Sequence, residues 1–167
     1  PSAAGRLLAT EVEVLTQIRK DPQRPFVALI GGAKVSDKLG VIEALLGEVD
    51  ELLIGGGMCF TFLAAKGVSV GSSLLEEEMV EWCRDLLSRE QRIRLPVDVT
   101  ALGPGGVLGN PSAGGEVRQM GTSLPEGWSG LDIGPGTAVE FSDVLAEART
   151  ILWNGPMGVF EFDQFGE

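Results

Sequence analysis

Lys34 and Lys38 are the residues whose type and spacing point most directly to chemistry. They follow an apolar run, Phe26-Val-Ala-Leu-Ile30, that stops at Gly31-Gly32. A separation of four puts both on one face of the helix that begins there. The chain has four lysines, Lys20, Lys34, Lys38 and Lys66, against a formal net charge of −11, so half of them gather at one strand-to-helix corner. Free backbone N–H groups and the positive end of a helix favour an anion at such a corner. The chemistry they suit is phosphate binding.

Three further stretches share the pattern of a β-run ending in glycine: Gly55-Gly56-Gly57, Gly134-Pro135 and Asn154-Gly155-Pro156. Glycine lets a ligand or a second backbone approach closely, and ligands of open α/β sheets gather beyond the carboxyl ends of the strands. Glycines at such positions also simply make tight turns. Residues 31–38 do not fit G-x-x-x-x-G-K-[ST], and Gly55-Gly-Gly-Met-Cys-Phe60 puts Phe60 where the third glycine of G-x-G-x-x-G belongs. Glu161, beyond the last of these corners, is a carboxylate that can accept hydrogen bonds from a ribose diol; taken alone it reads rather as an acid on the first turn of a helix. Glu76, Glu77 and Glu78 read as acids matched to a helix dipole rather than as metal ligands.

These residues need a scaffold. Leu8, Val12 and Leu15 recur at helical spacing and predict a helix over residues 3–20, ended by Asp21-Pro22 and Arg24-Pro25. The continuous run 26–30 predicts a strand buried on both faces. Ser36 is a candidate cap for a helix whose Leu39, Val41, Ile42, Leu45 and Leu46 predict burial most of the way round. A strand over 51–54, a helix over 58–66 ended by Gly67, a helix over 75–90 and a strand over 93–99 follow. Residues 100–127 hold eight glycines and three prolines and read either as an excursion carrying a short edge strand near 116–120 or as a mobile loop. A strand over 130–133, a helix carrying Phe141, Val144, Leu145 and Ala148, and a strand over 150–153 complete the pattern. Alternating strands and helices predict an α/β fold with a parallel sheet and right-handed crossovers.

The acidic balance counts against nucleic acid or an anionic membrane as main partner. Cys59 and Cys83 lack metal-ligand spacing and read as reduced core thiols. No apolar run approaches the roughly 18 residues of a membrane span. The first residue, Pro1, and an abrupt end at Glu167 read as a piece of a larger protein.

Gly31-Gly-Ala-Lys-Val-Ser-Asp-Lys38, Ile54-Gly-Gly-Gly-Met-Cys-Phe-Thr-Phe62, Gly130-Leu-Asp-Ile-Gly-Pro135 and Trp153-Asn-Gly-Pro-Met-Gly-Val-Phe-Glu161 closely resemble phosphoglycerate kinase in order and spacing. The resemblance implies a Rossmann-like three-layer α/β/α nucleotide-binding domain over 23–167, incomplete at its C-terminal end, preceded by an interdomain helix region over 1–22. It implies phosphoryl transfer between 1,3-bisphosphoglycerate and ADP, giving 3-phosphoglycerate and ATP, with Mg²⁺ carried on the nucleotide, in the cytoplasm, by an enzyme monomeric at full length.

By that resemblance Lys34 contacts the phosphoryl group in flight and Lys38 the nucleotide phosphates nearer the ribose. Gly32, Gly56, Gly57, Leu74, Gly130 and Leu131 line the adenine slot. Asn154, Pro156 and Glu161 hold phosphate and ribose, and Ala33, Gly158 and Val159 complete the nucleotide-binding set. No residue of the chain is expected to ligate metal. The arginine and histidine cluster for phosphoglycerate and the family's metal-side aspartate are not among these residues, so the 167-residue chain alone is expected to be inactive. A non-catalytic nucleotide-binding module is the alternative.

Overall fold

The computed structural model describes residues 21–110, 113–162 and 165; the helix expected over residues 3–20 lies outside them. A four-stranded parallel sheet forms the centre. It comprises β1 (Phe26–Ile30), β2 (Glu51–Ile54), β3 (Ile93–Arg94) and β7 (Thr150–Asn154), in the order β3-β2-β1-β7. β1 is buried at every residue, as a continuous apolar run in the middle of a parallel sheet requires.

Alternation within the strands divides the core. Phe26, Ala28, Ile30, Leu52 and Ile54 face one side, against α1 (Leu39–Leu46), α2 (Cys59–Ala65) and α3 (Val80–Arg89). Val27, Leu29 and Leu53 face the other, against Phe141, Val144 and Leu145 of α4 (Pro135–Glu147). The result is the expected three layers, helices–sheet–helix. On β7, the outermost strand among the described residues, Ile151 and Trp153 are exposed.

Several expectations need correction. The run 93–99 is not one strand. Pro96 has no N–H for a ladder bond, and the chain breaks there into β3 and a separate β4 (Asp98–Leu102). β4 is the middle strand of a second, antiparallel sheet with β5 (Val117–Gly121) and β6 (Ser129–Ile133), in the order β5-β4-β6. The glycine-rich excursion thus does carry an edge strand, but the strand expected over 130–133 pairs antiparallel, outside the main sheet. α1 buries only Ile42, Leu45 and Leu46, and Val41 faces solvent. A turn of 3₁₀ helix, Ser36–Lys38, precedes it, and Ser36 makes no cap bond to that helix.

Gly67 ends α2 as predicted. It sits at φ +80°, with the Gly67 N–H donating to the Ala64 carbonyl at 2.8 Å and the Val68 N–H to Leu63 at 3.1 Å. Cys59 and Cys83 are buried, unpaired thiols. Burial pushes both up in pKa, Cys83 to about 12, so they remain protonated core residues. Among the described residues, no helix is long and apolar enough to cross a membrane.

Candidate functional site

Three of the four glycine-bearing exits meet at the carboxyl edge of the parallel sheet. Ile30 pairs in register with Ile54 on one side and with Asn154 on the other, so the segments leaving β1, β2 and β7 emerge side by side. They then bond to one another. The Gly31 N–H donates to the Asn154 carbonyl at 3.0 Å, the Gly56 N–H to Met157 at 2.8 Å, and the Met58 N–H to Gly32 at 3.0 Å.

Part of the glycine content serves this contact rather than a ligand. A Cβ on Gly31 would strike the Pro156 carbonyl, and one on Gly56, at φ +65°, would stand 2.6 Å from the Gly32 nitrogen. The Gly57 position faces Leu74, whose Cδ2 would lie 3.2 Å from a Cβ there. Leu74 itself is exposed, which leaves an apolar wall open beside a bare backbone.

The lysines stand on this platform. Lys34 is exposed. Lys38 reaches across the ends of β1 and β7, and its Nζ donates to Asn154 Oδ1. The predicted phosphate residues Lys38 and Asn154 thus come together; Lys34, expected on the same helix face as Lys38, instead precedes the 3₁₀ turn and lies outside any helix. Ala33 lies against Gly57. Leu131 joins the same rim, because its carbonyl accepts the Val159 N–H at 3.1 Å. Glu161 is exposed on a turn closed by the Phe162 N–H donating to Val159 at 3.1 Å, not on a helix.

Gly134-Pro135, the fourth exit, does not join. β6 belongs to the antiparallel sheet, and the N-terminus of α4 is already filled by the Asp98 carboxylate. Asp98 Oδ2 accepts the Gly136 N–H at 2.8 Å, and Oδ1 accepts the Thr137 N–H and hydroxyl, each at 2.6 Å. Burial pushes the Asp98 carboxyl up, but these donors more than offset it and hold it below the usual aspartate range. Gly130 is bare because a Cβ would enter the Phe60 ring.

A broad open groove of about 1040 Å³ adjoins the site, lined by Thr100, Arg118, Asp132, Trp153, Met157 and Phe160, among others. Of the predicted site residues it touches only Pro156 and Gly158. Gly158 packs directly on the Asp132 carboxylate, and burial pushes that carboxyl above its usual range despite the Ile133 N–H it accepts. Among the described residues, no three His, Cys, Asp or Glu side chains converge as a metal site.

Glu76 is the residue that sequence reasoning misplaced. It is not a solvated first-turn acid but is 7% exposed. Its Oε2 accepts the Val35 N–H at 2.6 Å and the Ser36 N–H at 3.2 Å, and its Oε1 accepts the Ser36 hydroxyl at 2.5 Å. Burial pushes its carboxyl up, but Ser36, Val35 and the Lys34 charge outweigh that, so it titrates below the usual glutamate range. The signal lay in the spacing. Glu76 stands three before Met79 and seven before Cys83, an inward position of the helix expected over 75–90, and a carboxylate there must find donors, although its backbone is extended and the helical turns begin only at Glu77.

A family model described as phosphoglycerate kinase matches residues 1–167. The phosphoglycerate kinase of Corynebacterium urealyticum is 54% identical over 167 residues, covering 99% of this chain and 40% of that protein. That of Salinispora tropica is 57% identical over 166 residues, with 99% and 40% covered. Among solved structures, phosphoglycerate kinase from Coxiella burnetii superposes with a TM-score of 0.87 at 37% identity, over 98% of this chain and 42% of that one. This chain therefore spans about 40% of the length of the curated relatives it matches. The chain belongs to the phosphoglycerate kinase family.

Proposed function

We propose that this chain forms the nucleotide-binding part of a phosphoglycerate kinase, which moves a phosphoryl group reversibly between the acyl phosphate of 1,3-bisphosphoglycerate and ADP in cytoplasmic glycolysis. The observation that carries this reading is the junction of Lys38 with Asn154 across the ends of β1 and β7, with Lys34 exposed in the segment just before it.

Phosphoryl transfer asks the protein mainly for positioning and for cations and N–H donors around negative charge that spreads in the transition state. Lys34 and Lys38 are such cations, and the absence of histidine from the chain is no obstacle. Lys34 meets the moving phosphoryl group, and Lys38 with Asn154 grips the phosphates of the carrier. Leu74, Gly57, Gly32 and Gly56 present the apolar, close-approach wall that an adenine ring needs, with Gly130 and Leu131 behind. Gly158, Val159, Pro156 and Glu161 close the ribose side. Mg²⁺ arrives as part of the nucleotide substrate.

The phosphoglycerate substrates bind through a domain outside these residues, so the 167-residue polypeptide by itself binds nucleotide without turnover. Lys34→Ala in the full-length gene product tests the reading. A positioned cation lost from the transition state lowers kcat by about 10²–10³-fold and raises the KM for ADP far less. An unchanged kcat removes Lys34 from the transition state. A wild-type gene product that binds Mg-ADP but neither binds nor turns over phosphoglycerate is a nucleotide-binding module instead.

A further inference from the structure

Residues 70–76 form a strap that runs over three parts of the site. Val70 bridges to Leu124. The Ser72 N–H donates to the Trp128 carbonyl at 2.8 Å, and the Ser129 hydroxyl to the Ser72 carbonyl at 3.0 Å. Ser73 Oγ accepts the Gly130 N–H at 2.9 Å. Leu74 lies over Gly57. The strap ends at Glu76, whose own N–H donates to Thr61 Oγ1 at 3.2 Å and whose carboxylate accepts three hydrogen bonds from Val35 and Ser36.

Val35 and Ser36 stand between the two lysines. A backbone held at both N–H groups by a buried side chain fixes where Lys34 and Lys38 leave the chain. Val35, fully buried, anchors the same point from below. Glu76 is buried and its carboxylate is taken up by Val35 and Ser36, so it acts through the corner.

We propose that Glu76 is a positioning residue, whose buried carboxylate sets the Val35–Ser36 backbone and thereby aims Lys34 and Lys38 at the nucleotide phosphates. This rests on the nucleotide reading given above. The role depends on reach and acceptor geometry rather than on charge. Gln keeps two acceptor sites on its oxygen, and its amide can donate to the Ser36 hydroxyl. Asp keeps the charge but is one methylene too short, and Ala removes the acceptors altogether.

The test uses the full-length gene product, titrated with Mg-ADP and with adenosine, which lacks the phosphates. Glu76→Ala and Glu76→Asp are expected to weaken Mg-ADP by about tenfold or more, since a small misplacement of positioning groups is costly. Both should leave adenosine within about twofold, and Glu76→Gln should stay near wild type for both ligands. Should the Glu76 variants fail to fold, Ser36→Ala removes one bond from an exposed residue while its N–H still reaches Glu76, and is expected to weaken Mg-ADP alone by about threefold, a smaller misplacement than Glu76→Ala causes.

Equal loss of Mg-ADP and adenosine, or no loss of Mg-ADP, overturns the positioning role while wild-type binding upholds the nucleotide reading. Glu76→Gln as damaging as Glu76→Ala also overturns it, in favour of a charge effect. A wild-type protein that binds neither ligand overturns both readings.

Discussion

Asp98 and Glu76 each decide local structure through their partners, and both act on a segment far away in sequence. Asp98 takes the N-terminus of α4, where an anion is stabilised by free N–H groups and the helix dipole. An internal carboxylate there leaves that helix end closed to a phosphate. Removing it strands the Gly136 and Thr137 N–H groups, while the buried Thr137 hydroxyl still donates to the Asp98 carbonyl at 2.9 Å, so Asp98→Ala is expected to cost about 1–3 kcal/mol, measured by urea denaturation. The lysine pair was legible from composition and spacing, because lysines are scarce in this chain and these two flank one corner. The Glu76 partnership was not, since three consecutive glutamates resemble an ordinary solvated first turn. Only the inward face it shares with Met79 and Cys83 distinguishes it.

At the scale of elements, the strand exits matter as a packed set. The glycines read as openings for a ligand also let three loops touch. Gly56 illustrates this, with a positive φ and the Gly32 backbone within 2.7 Å of where a Cβ would stand. Gly56→Ala is therefore expected to cost at least about 1–2 kcal/mol from left-handed backbone alone. It should also weaken Mg-ADP by displacing Gly32, and parallel denaturation and calorimetry check both. Apolar runs and helical periodicity located the strands of the parallel sheet and the four α-helices of the described residues. They did not reveal which sheet each strand joins. The run 93–99 looks continuous in hydropathy, yet the missing N–H of Pro96 sends its two ends to different sheets. The strand 129–133 leads into a helix as a parallel strand would, but it pairs antiparallel with β4. Register between distant segments leaves no mark on local periodicity.

Across the whole molecule, two sheets share one core, since Val99, Ala101 and Leu124 join the cluster beneath α1, α2 and α3. Three carboxylates hold distant segments together. The Phe26 N–H and Arg24 lower Asp50 despite its partial burial, and Glu76 and Asp98 are lowered too. A carboxylate whose folded pKa lies below its unfolded value contributes stability above the unfolded value and loses it as pH falls through the folded one. The melting temperature is thus expected to hold above about pH 5 and to fall steadily below about pH 4, as a calorimetric pH series would record. Asp132 has the opposite sign, so Asp132→Asn should raise the melting temperature at pH 7 and change it less at pH 4. The central claim is that the exits of β1, β2 and β7 together bind a nucleotide. Hydrogen–deuterium exchange of the full-length gene product with and without Mg-ADP tests it directly. The account predicts protection in residues 31–38, 55–58 and 154–161. Protection confined to the groove around Thr100, Arg118 and Asp132, with residues 31–38 unchanged, would contradict it.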